Sequence, residues 1–129
     1  MAKVFVMDSL IGVPFEWGGR GPDTLDCYGL VKNLYEAEYP AVTLPEYMSP
    51  DNSTETAAMM AGQIDLWKRV EEKPNVVVLI RVRGMASHVG YTLGDDKFIH
   101  TWESSGGVVI ERLSQWKRKI IGYYEYVGK

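Results

Sequence analysis

Apolar residues recur at helical spacing in one long stretch of the chain. Between Cys27 and Glu38, residues Leu30, Val31, Leu34 and Tyr35 share one face of a 3.6-residue repeat. Asp26 supplies the short acceptor side chain of an N-cap, and Pro40 closes the far end, so the pattern predicts a helix over 27–38. Two shorter helices are predicted from Lys3 to Ile11, stopped by Gly12 and Pro14, and from Thr54 to Met60, extending with a bend past Gly62 towards Trp67. After Pro74 the character changes. The β-branched run Val76 to Val82, bounded by Pro74 and Gly84, predicts a well-buried strand. His88 to Leu93, Lys97 to Thr101, Val108 to Arg112 and Ile121 to Val127 predict further strands, with a short helix from Ser114 to Lys117. Turns fall at Gly94-Asp95-Asp96 and Ser104-Ser105-Gly106-Gly107. The links between strands are too short for helical crossovers. Helices first and consecutive strands after imply an α+β fold, with N-terminal helices packed on an antiparallel β-sheet of about five strands.

A length of 129 residues fits one domain spanning 1–129 and allows one ordinary core. With 14 basic against 17 acidic residues, a nucleic-acid-binding surface is not expected. No apolar run reaches the length that spans a bilayer, so no membrane association is expected. The start, Met1 to Asp8, does not read as a secretory signal, because Asp8 cuts its apolar stretch short. The expectation is synthesis in the cytoplasm, with work outside the cell depending on lysis or on incorporation into a larger particle. The lone cysteine, Cys27, cannot form an internal disulfide.

A single cysteine is by default a small buried hydrophobe. Cys27 instead falls in the first turn of the clearest helix, where amide donors and the positive end of the helix dipole favour a thiolate. The loop before it, Trp17-Gly18-Gly19-Arg20-Gly21-Pro22-Asp23, lets a substrate backbone approach closely. That is where a cysteine nucleophile belongs. The two histidines, His88 and His100, lie on adjacent predicted strands of one hairpin, which brings both imidazoles towards the same end of the sheet. If both face inward, one can take the thiol proton while the other orients it. Two unrelated histidines are the alternative. Cys27, His88 and His100 could also be three zinc ligands with water as the fourth, although the helix-start cysteine favours a free thiolate.

The stretch from Pro14 through Trp17-Gly18-Gly19 and Asp26-Cys27-Tyr28-Gly29-Leu30-Val31 resembles the signature of the NlpC-type cell-wall peptidases, which are papain-like cysteine peptidases. Ser87-His88-Val89-Gly90-Tyr91, followed by Phe98-Ile99-His100, resembles that family's histidine block. The resemblance runs roughly from Gly12 to Thr101. It implies a papain-like fold, no cofactor and no metal, with Cys27 as nucleophile, His88 as base and His100 as the orienting residue. It implies that Asp26 and Ser87 help recognise the free amine of a substrate, and that Trp17 and Gly18 shape the cleft wall. The implied reaction is hydrolysis of an amide in a peptidoglycan stem peptide, at the bond joining the γ-carboxyl of D-glutamate to the diamino acid. Phe15 stands where the family usually has a tyrosine, whose hydroxyl lies near the nucleophile. Tyr28 stands where many members have serine. That aromatic residue, with the ending Ile120 to Tyr124, resembles the branch found among phage tail-assembly and prophage proteins, implying virion tail proteins as partners. Phe15 also motivates the alternative of a tail-assembly module with the same fold and little or no activity.

Overall fold

The computed structural model describes residues 7–45, 66–82 and 85–128. Residues 7–10 are helical, and the helix expected over Thr54 to Met60 lies outside the described residues. Helix α1 spans Cys27–Glu38, the bounds its periodicity predicts. Asp26 has extended backbone and its side chain accepts the Gly29 N–H at 2.7 Å, which satisfies one of the open donors of the first turn.

Among the described residues six strands follow: β1 (Trp67–Val70), β2 (Val77–Val82), β3 (Met85–Gly94), β4 (Lys97–His100), β5 (Val109–Arg112) and β6 (Ile120–Tyr126). They form one antiparallel sheet in the order β1-β6-β2-β3-β4-β5. A one-turn helix, α2 (Leu113–Trp116), links β5 to the segment before β6. The α+β architecture is the one expected, with one more strand. Trp67–Val70 is that strand, where the sequence suggested the tail of a helix. Four residues are too few to show a period, and their pairing is decided by β6, distant in the chain, which sets Trp67 opposite Tyr126 and Val70 opposite Tyr123. The exposed Lys68 and Arg69 suit an edge strand.

Strand alternation splits the core between the two sheet faces. Val77, Leu79, Val89, Tyr91 and Ile99 pack with Leu30, Val31, Leu34 and Tyr35 of α1 on one face. Val78, Ile80 and Phe98 pack with Leu113 and Trp116 of α2 on the other. The β3–β4 turn has left-handed backbone at both Asp95 and Asp96, matching the twist of a tight hairpin. The Asp96 carboxylate accepts the Ser114 N–H at 3.0 Å and the Ser114 hydroxyl at 2.6 Å, which fastens α2 over the second face. Among the described residues, no helix is long and apolar enough to cross a membrane.

Candidate active site

The segment before α1 is folded back on itself by backbone bonds. Glu16 N–H donates to Leu25 O at 3.1 Å, Leu25 N–H to Pro14 O at 3.1 Å and Asp26 N–H to Gly19 O at 3.1 Å. The Asp26 carboxylate holds the fold from inside: it accepts Gly18 N–H at 2.9 Å and Arg20 Nη1 at 2.8 Å, besides Gly29 N–H. Gly19 and Gly29 are required here by close approach, since a Cβ on Gly29 would collide with the Gly19 carbonyl oxygen. The result seats Cys27 at the start of α1 with 2% of its surface exposed. The backbone N–H groups of Val89 and Tyr28 point at its sulfur.

Val89 is the residue next to His88 on β3. The register sets Val89 opposite Leu79 and His88 opposite Ile80. Val89 therefore faces α1, and His88 faces the second core. His100 lies on that same face, stacked on Phe98 with ring centroids 4.4 Å apart. The even spacing of the two histidines thus survives the turn, and the hairpin joins them: His88 Nε2 lies 2.8 Å from His100 Nδ1. His100 Nε2 in turn lies 2.5 Å from Oε1 of Glu111 on β5. Trp102 and Trp116 enclose the pair, with ring centroids 6.0 and 6.3 Å from that of His88. Sulfur and imidazole thus lie on opposite faces of β3, against adjacent residues of the strand, and the resting structure does not bring them together.

Burial dominates the electrostatics. It pushes the Cys27 thiol up to about 12, the charge of Asp26 adds to that, and the Val89 and Tyr28 amides and Arg20 pull the other way without offsetting it. The thiolate expected from the helix start is thus overruled by desolvation in the resting state. Burial also pushes His88 down to about 3, helped by the neighbouring His100. His100 is lowered by burial and partly restored by its hydrogen bond to Glu111 and that group's charge. The resting site holds a neutral thiol on one face of β3 and neutral imidazoles on the other.

The other residues singled out in the sequence fall around this centre. Phe15 packs edge-on against Trp17, ring centroids 4.8 Å apart, and both are half-buried. Gly18 is exposed, with left-handed backbone. Tyr28 is fully buried; its hydroxyl donates to Pro45 O at 2.6 Å, and the Arg20 guanidinium lies 5.6 Å from its ring centroid. Asp26 is the N-cap, and its carboxylate is engaged by Arg20 and two backbone amides. Ser87 immediately precedes His88 on β3, and its side chain lies outside the described residues. For zinc, His88 Nε2 and His100 Nδ1 are spent on each other, and no group of three or more His, Cys, Asp or Glu among the described residues could hold a metal ion. Glu111, Trp102 and Trp116 were not foreseen as neighbours of the histidines. Phe98 and Trp102 each stand two residues from His100, the spacing that puts strand residues on one face.

Residues 12–125 match the NlpC/P60 family. Among curated proteins, the murein DD-endopeptidase MepH of Escherichia coli (strain K12) is 32% identical over 117 residues, covering 87% of this chain and 40% of MepH. The probable endopeptidase p60 of Listeria monocytogenes is 25% identical over 118 residues, covering 88% of this chain and 21% of p60. The chain thus spans less than half the length of either relative. Among solved structures, the NlpC/p60 domain of the peptidoglycan hydrolase SagA superposes with a TM-score of 0.65 at 18% identity, covering 96% of both chains. NlpC2 from Trichomonas vaginalis gives 0.68 at 20% identity, covering 99% of this chain and 46% of that one. The two sequence blocks, the helix-start cysteine and the paired histidines stand within the matched span, and the chain belongs to the NlpC/P60 family.

Proposed function

We propose that the chain is a cysteine endopeptidase acting on an amide bond of a peptidoglycan stem peptide. Cys27 attacks the carbonyl, His88 Nδ1 takes the thiol proton and returns it to the leaving amine, and water releases the thioester. His100 orients His88. The observation that carries this reading is the 2.8 Å His88–His100 bond at the strand position adjoining the amide that meets the Cys27 sulfur. It commits Nε2 of His88 and leaves Nδ1 for the proton. Sulfur and imidazole rest on opposite faces of β3, so the reaction needs a rearrangement on substrate binding that carries His88 Nδ1 to within hydrogen-bond reach of the sulfur.

The resemblance gives the γ-D-glutamyl–diamino acid bond. A second reading, cleavage of the D,D cross-link in murein, is favoured by the name of MepH and by the site itself. Asp26, one of the two residues implied to read a free stem-peptide amine, is instead held by Arg20. A stem joined to its sugar offers no such amine. Mass spectrometry of purified muropeptides incubated with the protein tests both readings. Cleavage at D-glutamate shortens the stem, whereas cross-link cleavage turns dimers into monomers. Cys27→Ala is expected to lower either activity by at least about 1,000-fold, and undiminished cleavage by that variant would refute the proposal. Membership of the phage tail-assembly branch rests on Tyr28 and Ile120 to Tyr124, and is tested by whether the protein co-purifies with tail particles.

A further inference from the structure

We propose that Glu111 is a positioning residue that sets the proton arrangement of both histidines and thereby makes His88 Nδ1 the basic atom. This rests on the peptidase reading for its consequence, and on geometry for its substance. Glu111 sits on the edge strand β5, opposite Phe98 of β4, so its side chain shares the sheet face of His100. Its Oε1 lies 2.5 Å from His100 Nε2, and its side chain is 35% exposed, so water solvates the carboxylate while the imidazoles stay buried.

The proton order follows from what each atom can do. A carboxylate only accepts, so His100 Nε2 carries a proton. A neutral imidazole has one N–H, so His100 Nδ1 is the acceptor. His88 Nε2, 2.8 Å away, must then be the donor, and the lone pair of His88 falls on Nδ1. Without Glu111 the remaining His88–His100 bond could run in either direction. In the reverse order, His88 would carry its proton on Nδ1 and could not accept one from a thiol there. The carboxylate also favours the imidazolium that forms once His88 has taken the proton. Among the described residues, the titratable or charged groups around this face include His88 on β3, His100 on β4, Glu111 on β5, Tyr123 of β6 with its partner Glu72, Asp96 against the start of α2, and Lys119, whose Nζ lies 5.3 Å from the Trp116 ring centroid.

Long-range ¹H–¹⁵N spectra of the imidazoles, with the pH profile of kcat/KM on muropeptides, test this in wild type, Glu111→Ala and Glu111→Gln. In wild type both histidines are expected as Nε2–H tautomers. Glu111→Ala is expected to mix the tautomers and lower kcat by roughly 10- to 100-fold, with KM changed by less than about twofold. Glu111→Gln keeps an acceptor oxygen, so the tautomer order and most of the activity should return. Its acidic limb should move to lower pH, because the charge favouring the imidazolium is gone. Unchanged tautomers in Glu111→Ala, or an unmoved acidic limb in Glu111→Gln, would overturn the proposal. If wild type cleaves no muropeptide, the peptidase reading fails, while the spectra still decide the role of Glu111. If Glu111→Ala does not fold, the glutamine variant carries the test alone, with the imidazoles titrated in its spectra.

Discussion

Cys27 and His88 are both pushed towards their uncharged forms, and for both the leading cause is burial. Both shifts therefore shrink together when substrate and water enter, which brings the two groups closer in proton affinity. In the resting protein the same shifts make stability depend on pH. Unfolded, His88 takes a proton near 6.5; folded, it does so only near 3. Between those values the unfolded state binds the extra proton, so stability is full above about 6.5 and drains as pH falls towards 3. His100, also lowered, acts in the same direction. Cys27 is the alkaline counterpart: its thiol ionises from 9 when unfolded and near 12 when folded, so stability drains as pH rises through that window. Urea midpoints across pH should form a dome, with Cys27→Ser losing the first part of the alkaline fall, above which the raised Tyr35, Tyr39, Tyr91 and Tyr123 add to it, and His88→Gln flattening part of the acid one. Alkylation by iodoacetamide should accelerate steadily above pH 9. A rate plateau at neutral pH would show a resting thiolate and contradict the burial argument.

At the scale of elements, the helix start and its loop act as one unit held by Asp26. Removing that carboxylate takes the acceptor from the buried Gly29 amide, from the Gly18 amide and from one side of the partly buried Arg20 guanidinium. Asp26→Ala should cost about 2–4 kcal/mol, the sum of a lost cap and of charge-assisted bonds. Arg20→Ala, at the more exposed end, should cost about 1–2 kcal/mol. Urea denaturation of both variants and the double variant gives the coupling; equal costs for the two single changes would sink this account. What could be read from sequence divides along the same line. Helix α1 was legible because its period and its cap are local, and β2 because its β-branched run is bounded by Pro74 and Gly84. The helix-start place of Cys27 and the pairing of His88 with His100 were legible because each residue stands in a recognisable block. The Arg20–Asp26 pair was not, since it depends on how the loop folds back onto the helix. Glu111 was not either: its meeting with His100 follows from the β4–β5 register, and no local pattern in Val109–Arg112 fixes that register. The strand at Trp67–Val70 was hidden for the same reason, its partner being β6.

Across the whole molecule, the two cores divide the labour of the site. The α1 core fixes where the sulfur lies. The second core, closed by α2, sets how dry the histidines are. Trp116 is the main cover: it is 8% exposed, its ring centroid lies 5.2 Å from that of His100 and 5.5 Å from that of Trp102, and α2 is tied down by Asp96 in the β3–β4 turn. The hairpin that joins the two histidines thus also anchors the helix that shields them. Removing the indole should do two things at once. Trp116→Ala should destabilise the fold by about 3–5 kcal/mol, as large-to-small changes of a buried aromatic do. It should also let water reach the imidazoles, moving the titration of His88 and His100 upward towards 6.5. Trp116→Phe, which keeps a ring over the pair, should lose less stability and shift the titration less. Imidazole chemical shifts followed against pH read the effect directly. A His88 that still titrates near 3 in folded Trp116→Ala, with His100 still lowered, would place the cover elsewhere on the face, with Trp102 and Phe98 the next to test.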